Sequence, residues 1–172
     1  VKRCRSCQEN AKAPTKVPLS PWPETERVWE RIHIDYAGPE DGKYYLIVVD
    51  AKSKWPEVQI TESITARKTV KLLWNLFQRY GFPETLISDN GTQFTSQEFA
   101  DMCRETGIKH IRTAPYHPQS TGQAERFVDT FNRGIRKLKG EGRNEEKLER
   151  FLLSYRSTPS ETLKNVSPAE VF

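Results

Sequence analysis

The segment Tyr44-Tyr-Leu-Ile-Val-Val-Asp50 most constrains the fold of this chain. A continuous apolar run of strand length reads as a strand covered on both faces. Such a strand needs a layer above it and a layer below it. Its neighbours fit that frame. Ile32-His-Ile-Asp-Tyr36 alternates and is β-branched, so it reads as a strand, ending at Gly38-Pro39. Asp41-Gly42 reads as the hairpin turn between the two. A third strand is expected over residues 55–60, completing a three-strand antiparallel meander.

A helix is expected from Thr65 to Tyr80. Val70, Leu73, Trp74 and Phe77 recur at helical spacing and form one buried stripe, and Gly81 followed by Pro83 stops it. Thr85-Leu-Ile-Ser88 reads as a short strand. A helix over residues 96–106 follows, then a strand over 108–112, and a loop over 113–120 that holds Pro115 and Pro118. A long helix spans 121–139, another 145–156, and Ser167-Pro168-Ala169-Glu170 opens a last one with proline at its first position. A meander joined to βαβ crossovers implies a mixed five-stranded sheet with helices on both faces. The apolar, Trp74-bearing helix is a candidate dimer surface, although core packing accounts for most of its residues.

Length bounds the domain count. The chain has 172 residues, enough for one cored domain and a short extra piece. Residues 1–13 are basic and polar around Cys4-Arg-Ser-Cys7. Residues 14–23 carry Pro14, Pro18, Pro21 and Pro23 and read as an extended linker, with the compact domain over 24–172. Because it begins at Val1 rather than Met, the chain is expected to be a piece of a longer polypeptide. No apolar run is long enough for a transmembrane helix. Three cysteines, Cys4, Cys7 and Cys103, are too few for a disulfide framework and suit a reducing compartment. Cys103 falls in a helical pattern and reads as a small buried hydrophobe. A net charge of +4 permits an anionic partner without demanding one. Arg133, Arg136, Lys137, Lys139 and Arg143 are concentrated in one stretch, which also suits a plain solvated helix face.

Three carboxylates carry the chemistry. Asp35 interrupts an apolar strand and shares a face with His33, opposite Ile32, Ile34 and Tyr36. Asp89 follows a strand, at the edge where α/β sheets bind ligands. Glu125 lies early in the long helix, on a polar stripe with Asp129, Asn132 and Arg136, apart from the apolar stripe of Phe127, Val128, Phe131, Ile135 and Leu138. Ser120 and Gln123 can form a capping box there, and the positive end of the helix dipole favours ionised Glu125. Singly, each has an ordinary explanation: a polar-face Asp, Asp-Asn-Gly turn chemistry, a solvated helix Glu. Together, three carboxylates brought to one point can hold two divalent cations, the equipment for in-line attack at a phosphodiester.

The motifs resemble the catalytic core of retroviral-type integrases, above all those of Ty3/Gypsy-like LTR retrotransposons. They are His33-Ile-Asp35-Tyr-Ala-Gly38, Ile87-Ser-Asp89-Asn-Gly-Thr-Gln-Phe94 and Thr113-Ala-Pro-Tyr-His-Pro-Gln-Ser-Thr-Gly-Gln-Ala-Glu125-Arg-Phe127, with Tyr155-Arg-Ser-Thr-Pro159 and Ser167-Pro-Ala-Glu170 in the tail. They occur in the family's order over residues 20–172, and 35 residues separate Asp89 from Glu125, the family's signature spacing. The resemblance implies an RNase H-like fold, two Mg²⁺ or Mn²⁺ ions on Asp35, Asp89 and Glu125, and double-stranded DNA, both element ends and target, as substrate. It implies hydrolytic 3′-end processing followed by strand transfer, action as a homodimer or larger oligomer, and a nuclear location.

Asn90, Tyr116, His117, Gln119, Arg126, Asn132, Arg133 and Arg136 are the candidate DNA contacts. Retroviral relatives often carry Asn or Lys three, four or seven residues after the catalytic Glu, whereas this chain has Val128, Asp129 and Asn132. Cys4 and Cys7 resemble the last two ligands of an N-terminal His-His-Cys-Cys zinc module, so Zn²⁺ is expected only in the full-length protein. Two other readings use the same residues: an RNase H-like nuclease or cut-and-paste transposase, and a domesticated, non-catalytic DNA-binding protein.

Overall fold

The structure, a computed structural model, describes residues 23–113, 127–134 and 143–172. Five strands form one mixed sheet: β1 (Arg31–Glu40), β2 (Lys43–Asp50), β3 (Pro56–Thr61), β4 (Thr85–Ser88) and β5 (Lys109–Arg112), in the order β3-β2-β1-β4-β5. The first three make the antiparallel meander, while β4 and β5 run parallel to β1. Helices α1 (Ala66–Tyr80), α2 (Thr92–Thr95) and α3 (Gln97–Thr106) follow in chain order. A helical stretch at 127–134 is termed α4, and α5 (Asn144–Ser157) and α6 (Pro168–Val171) complete the set.

The apolar run of β2 is covered on both sides, as its sequence requires. Leu46 and Val48 enter one core with Ile32, Ile34 and Leu86, packed under Leu72, Leu73, Leu76 and Phe77 of α1 and Phe99, Met102 and Cys103 of α3. Ile47 and Val49 enter the other with Ala37, Tyr45 and Val58, under Phe127 and Phe131 of α4 and Leu148 and Leu152 of α5. Full burial of a side chain of this size contributes about 1.5–3 kcal/mol, so the two phenylalanines are enough to anchor α4 to the sheet. Strand β1 divides its residues by parity: Ile32, Ile34 and Tyr36 serve the α1 side, and His33, Asp35 and Ala37 face the α4 side.

Several boundaries differ from the sequence expectation. β1 does not end at Gly38-Pro39. Its register with β2 shifts between Ala37 and Glu40, and pairing resumes at Glu40↔Lys43. Gly38 makes this possible: at φ 104 it occupies a region closed to most residues, and a Cβ there would lie 2.8 Å from the Lys43 carbonyl oxygen. Asp41 and Gly42 then turn the hairpin with φ of 48 and 73, the left-handed pair expected of Asp-Gly.

Helix α1 starts where expected, with Thr65 accepting the Lys68 N–H, and ends with the Gly81 N–H on the Phe77 carbonyl. Its buried stripe is Thr69, Leu72, Leu73, Leu76 and Phe77, so Val70 and Trp74 lie at its half-buried margin. The rotation puts Trp74 against Phe77 and the exposed Phe82. Ser96 caps α3, Gly107 closes it in the left-handed conformation, and the short α2 before it was not expected. Cys103 is buried, which pushes its thiol up to about 11. Ser167 and Glu170 form a reciprocal capping box around Pro168.

Candidate active site

The parallel pairing of β1 with β4 sets the site. Arg31, Ile32 and His33 lie opposite Thr85, Leu86 and Ile87. Two further residues in this register align Asp35 with Asp89, on strands about 4.8 Å apart. β4 ends at Ser88 while β1 continues along β2 to Glu40, so Asp35 lies within its strand and Asp89 one residue past the end of the neighbouring one. Asp35 is half-buried and Asp89 exposed. The pairing Asp35↔Ile47 places Asp35 on the face covered by α4. One oxygen of each carboxylate is oriented by a backbone N–H: Tyr36 donates to Asp35 Oδ1 at 2.7 Å, and Gly91 donates to Asp89 Oδ1 at 2.9 Å.

Glu125 lies outside the described residues, as do Tyr116, His117, Gln119, Arg126, Arg136, Cys4 and Cys7. Phe127, two positions after Glu125 in sequence, is buried on the Asp35 face. Among the described residues no group of three His, Cys, Asp or Glu side chains gathers as a metal cluster. The two aligned carboxylates nevertheless fit Mg²⁺ or Mn²⁺, which take hard oxygen donors. His33, on the same face, is buried; burial first, then Arg31 and Lys54, lower it to about 3, so it places no positive charge beside the carboxylates.

The end of β4 is tied to β5 by Ser88, His110 and Thr113, for which the sequence suggested no role, and by Asn90, which was expected at DNA. The Ser88 hydroxyl donates to the Asp89 carbonyl at 2.8 Å and lies 2.8 Å from His110 Nε2. Thr113 donates to the Ser88 carbonyl through both N–H, at 3.0 Å, and Oγ1, at 3.2 Å. Asn90 Nδ2 donates to the Thr113 carbonyl at 2.7 Å. Ser88 is fully buried, and desolvation, then Arg112, lowers His110 to about 4. The only sequence cue was Ser88 ending an apolar strand, since its partners on β5 and beyond, His110 and Thr113, lie more than 20 residues away. Of the other expected contacts, Asn132 is half-buried, and Arg133 is exposed with Nε donating to the Asp129 carbonyl at 3.2 Å. Arg143 is exposed and pairs with Glu146 at 3.3 Å.

Comparison with known proteins bears on the fold and the family. Residues 27–118 match the integrase core domain family. An uncharacterized Caenorhabditis elegans protein, K02A2.6, is 56% identical over 99% of this chain, which spans 14% of that protein. The Transposon Tf2-3 polyprotein of Schizosaccharomyces pombe is 35% identical over 79% of this chain, which spans 11% of the polyprotein. The chain therefore covers a small part of the length of these relatives. The catalytic core domain of BIV integrase superposes with a TM-score of 0.70 at 25% identity, covering 83% of this chain and 93% of that one. A chain of the simian T-cell lymphotropic virus intasome in complex with PP2A regulatory subunit B56 gamma superposes with a TM-score of 0.82 at 20% identity, covering 98% and 62%, which speaks to the fold. With its five-stranded RNase H-like sheet and these relatives, this chain belongs to the integrase core domain family.

Proposed function

We propose that this chain is the catalytic core of a DNA integrase, a polynucleotidyl transferase that processes the 3′ ends of retroelement DNA and joins them to target DNA. The observation that supports the reading is the parallel register of β1 on β4, His33↔Ile87, which if continued two residues on would bring Asp35 beside Asp89. Glu125 supplies the third carboxylate. Two Mg²⁺ or Mn²⁺ ions held by these residues would activate the attacking oxygen and stabilise the leaving one. In processing, a water oxygen bonds to phosphorus as the bond to the 3′ oxygen breaks, leaving a 3′-hydroxyl. In joining, that hydroxyl attacks a target phosphodiester and a second 3′-hydroxyl leaves, so the number of phosphodiester bonds is conserved.

The protein's part is placement. The Tyr36 and Gly91 amides orient the two carboxylates, and the packing of Phe127 and Phe131 fixes α4 over the Asp35 face. Exposed cations such as Arg133 and Arg143 suit phosphate contacts. Residues 1–13 are proposed as the end of a zinc module, residues 14–23 as a linker, and the assembly on DNA as a dimer or larger.

Manganese calorimetry and disintegration of a branched DNA substrate, applied to the wild type and to Asp89→Asn, test the reading. Loss of both metal binding and strand joining in Asp89→Asn is the expected result. A well-folded wild type that binds no Mn²⁺ and rejoins no DNA would overturn it.

A further inference from the structure

We propose that His110 is a positioning residue for Asp89, acting through Ser88, and that it does so only as the tautomer with its proton on Nε2. This inference rests on the integrase reading.

The bonding logic follows from counting protons. A serine hydroxyl has one proton to give. In this structure the Ser88 hydroxyl donates to the Asp89 carbonyl at 2.8 Å. The His110 Nε2 atom, also 2.8 Å from Ser88 Oγ, must therefore be the donor in that contact. The result is a directed chain: the imidazole N–H donates to a buried hydroxyl, which donates to the backbone carbonyl of the candidate metal ligand. Phe99 holds the imidazole from the side, with ring centroids 4.9 Å apart.

This chain acts where the sheet stops supporting the backbone. The Ser88 carbonyl takes the last ladder bond, from the Thr113 N–H at 3.0 Å. The Asp89 carbonyl is one residue beyond it, and its direction sets the peptide plane leading into Asn90. Asn90 is itself tied to Thr113, and the Asp89 carboxylate takes the Gly91 N–H. With the Asp89 carbonyl fixed from β5, the turn cannot swing and the carboxylate stays in line with Asp35. Residues that orient a metal ligand at one remove typically contribute 10–100-fold in metal affinity or activity.

The imidazole geometry supplies a discriminating pair of variants. Glutamine places an N–H donor near the position of histidine Nε2, whereas asparagine is too short and reaches only the Nδ1 position. In the full chain, His110→Asn is expected to lower kcat for strand joining about tenfold and to weaken Mn²⁺ binding by a similar factor. KM for DNA and the thermal midpoint should stay near wild type. His110→Gln should restore both quantities to within about threefold of wild type.

Nitrogen-15 NMR of the unmutated protein reads the tautomer directly and does not depend on a variant folding. Protonation at Nε2, with a shift of the His110 signals on adding Mg²⁺, is expected. A neutral His110 carrying its proton on Nδ1 would overturn the inference, as would His110→Asn and His110→Gln behaving alike. Asp89→Asn in the same series separates the two levels. If it leaves Mn²⁺ binding intact, the integrase reading fails. If it abolishes binding while His110→Asn changes nothing, only the role of His110 falls.

Discussion

Arg156→Met is expected to destabilise the fold by about 3 kcal/mol, although Arg156 touches no part of the candidate site. Arg156 Nη2 lies 2.9 Å from Glu57 Oε1, and Glu57 has a side chain only 8% exposed. The same oxygen accepts from Tyr80 OH at 2.8 Å and Trp55 Nε1 at 3.0 Å, and Arg79 reaches Oε2 at 3.4 Å. Arg156 also donates to the Pro56 carbonyl and stacks 4.1 Å over the Trp55 ring. Removing one partner of a buried pair strands the other charge and costs about 3–5 kcal/mol. Arg79 is more than half exposed, so it compensates weakly, which places the loss near the lower end of that range.

The double variant Glu57→Gln, Arg156→Met separates charge from packing. The glutamine keeps an oxygen acceptor for Tyr80 and Trp55 but leaves no ion behind, so the pair should recover about 1–2 kcal/mol relative to Arg156→Met alone. Urea unfolding at constant slope measures both values. A loss below about 1 kcal/mol for Arg156→Met, or a double variant less stable than the single, would refute the argument.

Acid should weaken the fold well above the range where carboxylates titrate. His33 is buried neutral and lowered to about 3, against 6.5 for the ordinary group. Its contribution is complete above 6.5 and is lost as pH falls below that. Stability at pH 5 should be about 2 kcal/mol lower than at pH 7, with His110 acting in the same direction. Urea midpoints across that range check the slope, which should flatten in His33→Gln. Gly134→Ala should lower the thermal midpoint despite a gain in helix propensity of about 1 kcal/mol. The new Cβ would lie 2.4 Å from the Phe151 ring, and overpacking of that kind costs about 1–3 kcal/mol.

What could be read beforehand follows from how local the signals are. The Asp41-Gly42 hairpin, the Thr65 and Ser96 helix starts and the two-sided burial of β2 rest on residues within a few positions of one another, and the structure has them where expected. The extension of β1 past Gly38 was hidden because Gly-Pro reads as a stop, while the partner that resumes pairing, Lys43, lies across the turn. The stripe on α1 was misplaced by one edge because hydrophobic spacing alone does not distinguish the centre of a buried face from its margin. Nothing in the sequence pattern singled out Glu57. Its partners come from positions 55, 79, 80 and 156, a convergence only the folded chain creates. The aspartates were legible as residues, but that their strands are neighbours depended on the crossover that sets β4 beside β1.

The parity of β1 has a consequence for how faithfully the site is assembled. A slip of one residue against β2 would turn Asp35 into the core under α1 and bring an isoleucine to the place meant for a carboxylate. It would simultaneously expel Ile32 and Ile34 from that core, so the mispaired chain has no stable form in which to persist. Folding thereby acts as a proofreading step. A molecule that reaches the native sheet carries its aspartate on the α4 side.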